Sequence, residues 1–248
     1  MSNSPNNESA DALFAAPQSK VAPFSFNQAV VDVFPDMINR SVPGYSDIVS
    51  TIPKILRRFI HENAVVYDLG CALGAASLSV ARAFPQLALK INAIDYSREM
   101  VERCKQNINA YKYASEIEVK QGDISQFEFE SCSIVIMNFT LQFISPEKRQ
   151  DIIAQIYQAL KPGGVLILSE KIANTDSTIQ DLLVDLHHDF KRDNGYSELE
   201  ISQKRSALES VMIVDNEPKH KQRLSEAGFA HHAIWYQHFN FASFLAVK

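Results

Sequence analysis

The sequence is poor in cysteine, glycine and positive charge, and each shortage argues against a class of protein. Its 248 residues include only three cysteines and eight glycines. Three cysteines with no CxxC spacing indicate neither a disulfide framework nor a zinc site. The formal net charge of −5 at pH 7 lacks the positive field typical of a dedicated nucleic-acid binder. We therefore expect no metal and no direct binding of nucleic acid.

Long apolar runs are also missing. No stretch approaches the roughly 18 apolar residues that a membrane span needs, and the first residues carry no apolar segment typical of a secretory signal. Hydrophobic residues nevertheless make up 46% of the chain, which suffices for a sizeable core. These observations predict a cytoplasmic protein that contacts no membrane.

Composition divides the chain into segments. Residues 1–12, rich in serine and asparagine, are expected to form a disordered tail before a single domain over 13–248. Five prolines interrupt the apolar segment 14–60, which predicts short helices and turns that cover another part of the molecule. Residues 175–213 predict a helical insertion of two or three helices without a strand.

Between these segments, strands alternate with helices. The pattern predicts strands over 65–70, 90–95, 117–119, 133–139 and 165–168, and helices over 73–84, 97–112 and 147–160, the last ended by 161–164 (KPGG). Residues 229–247 predict an antiparallel strand pair. Repeated βα units imply an α/β fold with a doubly wound, mostly parallel sheet and a C-terminal antiparallel pair.

Polar residues follow four consecutive strands of this sheet. They are Asp68 to Ala72, Asp95, Gly122 to Ile124, and Asn138. Open α/β sheets bind ligands outside the carboxyl ends of their strands, and an acid after the second strand can accept both hydrogen bonds of a ribose diol. Asp68 alone could cap a turn and Asp95 alone could begin a helix. Four suitable strand ends together favour a nucleoside site.

The order of these motifs resembles the class I S-adenosyl-L-methionine (SAM)-dependent methyltransferase fold, which is Rossmann-like. Residues 70–75 (GCALGA) lack the GxGxxG that a dinucleotide fold places at the start of a helix. They also depart from the usual methyltransferase DxGxGxG, because Ala72 stands at the middle glycine. Alanine is tolerable there if its φ stays negative.

Four stretches resemble a narrower family, the carboxy-SAM synthases. They are FPDMINRSVPGYSDIVS (34–50), YDLGCALGAASLSVAR (67–82), NFTLQF (138–143) and HHDFKRDNGYSELEISQKRSALESVM (187–212). The SVPGY and NGYSELEISQKR blocks lie outside the general SAM motifs. The resemblance implies conversion of SAM and prephenate to carboxy-SAM, phenylpyruvate and water. It also implies a homodimer whose product passes to a tRNA carboxymethyltransferase acting on the wobble uridine.

The resemblance also assigns a site. It implies SAM contacts at Tyr45, Gly70, Cys71, Ala72, Asp95, Tyr96, Asp123, Ile124 and Asn138. It further implies that Arg205 binds the new carboxylate, and we expect Arg205 to be the catalytic residue. A buried carboxylate needs a partner, and a guanidinium offers a bidentate one. Spacing alone favours a solvated charge paired with Glu209, four residues away, and Lys204 is expected to be such a solvated charge.

Prephenate carries two carboxylates, which predicts a cationic pocket. The basic group expected there is His187, His188, Lys191, Arg192 and Arg205, with Tyr196 nearby. At least one histidine follows an apolar helix face and is expected to serve packing, and two adjacent histidines are too few to bind a metal. The reaction that the family implies needs proximity and exclusion of water more than acid–base groups, so we expect no indispensable general base.

Two other functions stay open. A conventional SAM-dependent methyltransferase of a small acidic substrate would share every nucleoside motif, and only SVPGY and 187–212 argue against it. A non-catalytic SAM-binding regulatory protein is the second, with Ala72 as a sign of decay. We expect the insertion 175–213 to form the dimer surface. Four phenylalanines of the cover are expected over the SAM site, namely Phe14, Phe24, Phe26 and Phe34.

Overall fold

The computed structural model describes residues 10–248. In chain order these form α1 (Gln28–Ser41), α2 (Tyr45–Leu56), β1 (Val65–Leu69), α3 (Ala75–Ala83), β2 (Lys90–Asp95), α4 (Arg98–Asn109), β3 (Glu116–Gln121), β4 (Cys132–Asn138), α5 (Pro146–Ala159), β5 (Leu160–Ala173), α6 (Ser177–Asp193), α7 (Glu198–Leu208), β6 (Asp215–Asn216), α8 (Glu217–Ala227), β7 (His231–His238) and β8 (Phe241–Val247). A short 3-10 helix, Leu141–Phe143, follows β4. None of the helices in 10–248 is long and apolar enough to cross a membrane.

One sheet organises these elements. Its strand order is β3-β2-β1-β4-β5-β8-β7, with β6 beside β5. Strands β1 to β5 pair in parallel, whereas β8 pairs antiparallel with both β5 and β7. The predicted doubly wound sheet with its antiparallel C-terminal pair is therefore confirmed. The strand order reverses between β1 and β4, which is the place where open α/β sheets bind ligands.

The side chains of β4 point alternately to the two faces of the sheet and contribute to a hydrophobic core on each face. Val135 and Met137 point to the face covered by α5, where Ile153 is fully buried. Ile134 and Ile136 point to the other face, covered by α2 and α3, where Ile52 is fully buried. Each fully buried side chain of this size stabilises the fold by about 1.5–3 kcal/mol relative to an exposed one. Burial on both faces explains why β4 is a continuous apolar run.

The N-terminal cover contains two helices joined by a turn, as expected, although the prolines do not divide it where the sequence pattern suggested. Pro35 lies inside α1 and Pro53 inside α2, whereas the turn falls at Gly44. A proline inside a helix removes one backbone hydrogen bond and is locally unfavourable. Burial of one apolar face, such as Ile48 and Ile52 of α2, outweighs that cost because packing supplies most helix stability.

The C-terminal half contains two features that the sequence pattern did not predict. Helix α5 ends before residues 161–164, as expected, but β5 already begins at Leu160 and runs through them, earlier than the predicted start at residue 165. Gly163 N–H donates to the Lys248 carbonyl at 2.8 Å, and Lys248 N–H donates to Gly164 at 3.0 Å. The sequence pattern also missed α8, which has few apolar residues. A buried ion pair between Arg223 and Asp215, 2.8 Å apart, holds this helix in place.

The predicted tail over 1–12 is only partly open to comparison, because residues 1–9 lie outside the described residues. Within the remainder, the expectation was wrong at Asp11, whose side chain is buried. Its carboxylate accepts hydrogen bonds from the Tyr196 hydroxyl and, at 3.2 Å, from Lys204 Nζ. This contact ties the start of the cover to the insertion, where α6 and α7 form the two helices that were predicted.

Candidate active site

A cavity of about 1150 Å³ opens at the carboxyl ends of β1, β2, β4 and β5. Helix α1 and the preceding segment form part of its wall, and the insertion forms another part. Phe24, Phe26 and Phe34 line it, as expected of the cover, whereas Phe14 does not. The cavity therefore lies at the strand-order reversal and beneath the predicted cover.

The cavity wall brings together all ten residues that the resemblance assigned. These are Tyr45, Gly70, Cys71, Ala72, Asp95, Tyr96, Asp123, Ile124, Asn138 and Arg205. They come from six separate parts of the chain, which the sheet and the packed helices α2 and α7 bring together. Their contact with SAM stays a prediction.

The turn after β1 allows a close approach of the backbone. Gly70 has φ +75°, and a Cβ there would lie 2.2 Å from Thr140 Oγ1. Thr140 itself donates to the Leu69 carbonyl at 2.9 Å. The condition for tolerating alanine at position 72 is not met, because Ala72 has a positive φ of +46°. A hydrogen bond from its N–H to Asp95 Oδ2, 2.8 Å long, holds it in this unfavourable conformation.

The two acids near this turn differ in what they can still bind. Asp68 is buried, and its Oδ2 accepts from both the N–H and the hydroxyl of Ser77 at 3.0 and 2.6 Å. Burial raises the pKa of Asp68 to about 6. Asp95 accepts one backbone hydrogen bond on each oxygen, from Ala72 and from Ser97 at 2.9 Å. Each Asp95 oxygen keeps a free lone pair for a diol, whereas Asp68 fixes the first turn of α3.

Two further strand ends present acceptors to the cavity. Asn138 Oδ1 is buried and has no hydrogen-bond partner among residues 10–248. Such an orphaned acceptor is costly, so it needs a donor from a ligand or water. Although burial acts in the opposite direction, hydrogen bonds from Ser125 lower the pKa of Asp123. Asp123 is therefore ionised at neutral pH.

The SVPGY block brings Tyr45 to the cavity through a tight turn. Gly44 has φ +77°, and a Cβ there would lie 2.1 Å from the Tyr236 hydroxyl. Tyr45 is the first residue of α2, and its ring centre lies 6.3 Å from that of Phe139. Burial raises the pKa of the Tyr45 hydroxyl, so it stays protonated and can donate a hydrogen bond.

Cations line the part of the cavity formed by β5, α6 and α7. They include Lys171, Lys191 and Arg205, with His187 and His188 beside them. The sequence pattern missed Lys171 because the predicted fifth strand ended at residue 168, five residues before β5 ends. The cavity thus has an acidic side on β1 to β3 and a basic side on β5 and the insertion.

Both histidines on the basic side have lowered pKa values. Burial lowers the pKa of His187 to about 2, and its Nε2 donates to the Ser41 carbonyl at 2.8 Å. Its ring centre lies 4.9 Å from that of Phe241, so the expectation of a packing histidine is confirmed. Burial and the neighbouring Lys191 lower the pKa of His188. Among residues 10–248, no group of three potential metal ligands is found.

Three residues of the insertion lie where they were not expected. Arg192 is exposed and pairs with Asp189 and Glu198, outside the cavity. Tyr196 is buried away from the cavity, with its hydroxyl on Asp11. The expectation that Lys204 is a solvated charge was wrong. It is buried, and Nζ donates to Ser41 Oγ at 2.8 Å.

Two roles were considered for Arg205, a surface ion pair and a ligand contact, and its position is compatible with both. Its side chain is 61% exposed, and its Nε lies 3.4 Å from Glu209 Oε1, as the surface-pair reading requires. It also lines the cavity on the basic side. An exposed pair of this kind contributes only about 0–1 kcal/mol, so Glu209 can be exchanged for another carboxylate at little cost. The binding role of Arg205 stays a prediction.

Curated relatives match nearly the whole chain. Residues 66–164 match a family model described as a methyltransferase domain. A carboxy-S-adenosyl-L-methionine synthase from Vibrio campbellii is 52% identical over 238 residues, which is 96% of this chain and 97% of that protein. A protein of the same name from Klebsiella pneumoniae is 53% identical, covering 96% of each chain.

Solved structures share the fold at much lower identity. A putative O-methyltransferase from Nostoc punctiforme has a TM-score of 0.62 at 16% identity, covering 89% of this chain and 59% of that one. A SAM-dependent methyltransferase from Methanosarcina mazei has a TM-score of 0.59 at 18% identity, covering 78% of this chain and 96% of that one. Human N-acetylserotonin methyltransferase, in complex with SAM, has a TM-score of 0.58 at 16% identity, covering 98% of this chain and 63% of that one. These likenesses confirm the fold.

Proposed function

Because the chain belongs to the carboxy-SAM synthase family, we propose that it converts SAM and prephenate to carboxy-SAM, phenylpyruvate and water. The observation that carries this proposal is the two-sided cavity. Its acidic side suits SAM, which carries a sulfonium and an ammonium. Its basic side suits an acid with two carboxylates.

SAM is proposed to lie against the ends of β1, β2, β3 and β4. Asp95 accepts from the ribose hydroxyls, and the orphaned Oδ1 of Asn138 accepts from the ammonium group. Asp123 and the backbone of Ile124 read the adenine edge. Gly70 allows the tight turn beside SAM, because it adopts a positive φ and has no Cβ to clash with Thr140.

The proposed reaction balances without a catalytic base from the chain. Prephenate loses CO2 and hydroxide as its ring becomes aromatic, which leaves phenylpyruvate. The hydroxide takes a proton from the sulfonium methyl and becomes water. The resulting ylide attacks the CO2, and the new carbon–carbon bond gives carboxy-SAM. The chain supplies proximity and, through the cover over 14–60, exclusion of water.

Arg205 is proposed to bind the carboxylate that appears on the sulfonium-bound carbon. SAM presents only a methyl group at that place, so a guanidinium there favours carboxy-SAM over SAM by differential binding. Exchange of Glu209 for the new carboxylate preserves the ion pair.

A homodimer is proposed, with the insertion as its interface. Four large apolar side chains on or beside α6 and α7 are exposed, namely Ile179, Leu182, Leu199 and Ile213. Large apolar side chains exposed on neighbouring helices support an interaction site there. We also propose that residues 13–248 act as one domain, since a single sheet carries both sides of the cavity.

The protein that uses the product and the cellular compartment are also proposed from chemical arguments. Carboxy-SAM is passed to a tRNA carboxymethyltransferase, and the net charge of −5 gives no reason to expect RNA on this chain itself. The cytoplasm is the proposed compartment because all three cysteines are free thiols.

The first experiment is mass spectrometry of the small molecules released from the denatured protein, before and after addition of SAM and prephenate. A nucleoside heavier than SAM by one CO2, together with phenylpyruvate, is the expected result. S-adenosylhomocysteine with a methylated acid would indicate a conventional methyltransferase. Unchanged SAM and intact prephenate would contradict the proposal and favour a regulatory protein.

A further inference from the structure

Two lysines on the cavity wall have no carboxylate within ion-pairing distance in residues 10–248. Lys191, in the last turn of α6, is only 6% exposed. Lys171, near the end of β5, is half-buried. Lys204 on the same wall differs, because Asp11 lies 3.2 Å from its Nζ. Lys171 and Lys191 are therefore cations without a protein counter-ion.

The groups around these lysines do not neutralise them. Lys171 Nζ lies 5.6 Å from the centre of the Phe241 ring, on which the neutral His187 also packs. Burial, together with the positive charges of Lys204, Lys171 and Arg205, lowers the pKa of Lys191 to about 7. Burial, followed by Arg205, lowers the pKa of Lys171 to about 8. Each neighbour that acts on these ammonium groups is itself cationic.

An unpaired ammonium in such a place is destabilising for the folded chain. Perturbed ionisable groups that face a cavity are characteristic of ligand-binding and catalytic sites. An ammonium group offers three donors to a carboxylate, and a bound anion would supply the counter-ion that the chain omits. Both lysines line one cavity, and Lys171 lies near enough to lower the pKa of Lys191, so the two ammonium groups form one basic site for an anion.

We propose that Lys171 and Lys191 form a carboxylate subsite, distinct from Arg205, that binds the carboxylate retained in phenylpyruvate. The inference rests on the proposed function, in which prephenate has two carboxylates with different fates. One leaves as CO2 and is delivered to the sulfonium carbon near Arg205. The other stays on the pyruvyl side chain, so it needs a separate fixed partner throughout the reaction. Lys171 and Lys191 are positioning residues for the acid, and no bond changes at either of them.

The division between two subsites predicts a crossed pattern of binding. Phenylpyruvate, which carries only the retained carboxylate, is the probe for the lysine pair, and carboxy-SAM is the probe for Arg205. Phenylpyruvate binding to the protein saturated with S-adenosylhomocysteine is expected to weaken roughly 10- to 100-fold in Lys171→Met and in Lys191→Met. Arg205→Met is expected to weaken carboxy-SAM by a similar factor while leaving phenylpyruvate binding within about threefold.

Kinetics and stability separate this role from a structural one. KM for prephenate is expected to rise roughly 10- to 100-fold in both lysine variants, with KM for SAM unchanged. Their melting temperatures without ligand are expected to equal or exceed that of the parent protein, because methionine replaces an unpaired buried charge. The matched control is Lys105→Met, which removes an exposed charge from α4, outside the cavity.

Three results would overturn the proposal. They are an unchanged KM for prephenate in both lysine variants, unchanged phenylpyruvate affinity, and a loss of phenylpyruvate binding equal to that in Lys105→Met. If either methionine variant fails to fold, the role is structural at that position, and Lys191→Arg tests whether charge alone restores binding. If the unaltered protein makes no carboxy-SAM, the proposed function has failed. If it does, while the lysine variants keep normal KM values, only this inference has failed.

Discussion

At the scale of single residues, Ala72 joins backbone strain to ligand binding. Its φ of +46° is a conformation that a Cβ disfavours by about 1–2 kcal/mol. The N–H that the conformation exposes donates to Asp95 Oδ2, the oxygen proposed to face the ribose. The strain therefore orients the carboxylate before the ligand arrives, which is a common use of strain at binding sites.

We expect Ala72→Gly to raise the free energy of unfolding by about 0–1 kcal/mol. Glycine removes the strain, but it also increases the entropy of the unfolded chain by about 0.4–1 kcal/mol, so the two effects partly cancel. Ala72→Val is the contrasting variant and should lose about 1–3 kcal/mol, because a branched side chain is worse at positive φ. Urea unfolding measures both. A large loss in Ala72→Gly would show that the methyl group itself is needed for packing.

Asn138→Ala is expected to weaken SAM binding roughly 10-fold without lowering stability. The variant removes an acceptor that has no partner in the ligand-free protein, so the folded state loses no hydrogen bond. Calorimetric titration with SAM and thermal unfolding give the two readouts. Asn138→Ser keeps an oxygen and should bind SAM better than the alanine variant. Equal SAM affinity in all three proteins would remove Asn138 from the binding site.

The basic side of the cavity predicts a pH dependence for acid binding. In the free protein the pKa of Lys191 is lowered to about 7 and that of Lys171 to about 8, first of all by burial. A bound carboxylate raises both pKa values, so affinity is fully present below pH 7 and is lost as pH rises above 8. We expect phenylpyruvate affinity to fall roughly 10-fold or more from pH 6.5 to pH 9.

The other ionisable groups near the two lysines are His187 and His188 on α6, Lys204 and Arg205 on α7, and Glu170 on β5. Burial raises the pKa of Glu170 to about 8, so its titration overlaps that of the lysines. The histidines have lowered pKa values and stay neutral across this range. The control is the double variant Lys171→Met/Lys191→Met. A slope that survives in it would belong to Glu170.

At the scale of elements, α7 places two adjacent basic residues in opposite environments. Lys204 turns inward to Ser41 and Asp11, whereas Arg205 is exposed at the cavity wall. The helix begins with a capping box, in which Ser197 and Glu200 each bind the other's backbone. The orientation of Arg205 therefore depends on where this cap starts the helix.

Ser197→Ala is expected to lower the free energy of unfolding by about 1 kcal/mol and to weaken carboxy-SAM binding. Loss of the cap leaves a backbone N–H of the first turn without its partner and frays the helix that carries Arg205. Ser202→Ala, at an exposed position of the same helix, is the matched control. Denaturant unfolding and carboxy-SAM titration provide the measurements. Equal behaviour of the two variants would mean that the capping box does not position Arg205.

At the scale of the whole molecule, the outward face of α6 exposes apolar side chains that are unusual on a fully solvated surface. It buries only His187 and Lys191, both toward the cavity, while Leu182 is 54% exposed. Ile179 and Leu182 of this helix are both exposed, and exposed large apolar side chains on one helix are typical of an element with a second partner.

Leu182→Glu is expected to convert the proposed homodimer to a monomer, because it places a charge in an apolar interface. Sedimentation velocity at micromolar concentrations measures the change. Tyr111→Glu, at a side chain that is 59% exposed and lies just after α4, is the control and should stay dimeric. A monomeric parent protein would contradict the dimer. A dimeric Leu182→Glu would place the interface elsewhere.

The sequence by itself determined the parallel order of strands and helices and the ends of the first, second and fourth strands, β1, β2 and β4. Strands and helices follow from the local alternation of apolar residues, and parallel strands must bring their carboxyl ends to one edge. Asp95 and Asn138 could therefore be placed together without coordinates.

Only the tertiary structure decided the basic side of the cavity and the backbone at Ala72. Lys171 is found there because β5 extends beyond its apolar run, and Lys204 turns away because Asp11, distant in sequence, lies against it. Burial and pairing of a charge depend on contacts between distant segments, which no local pattern contains. The sign of φ at Ala72 depends on the same kind of contact, a hydrogen bond to Asp95 on the next strand.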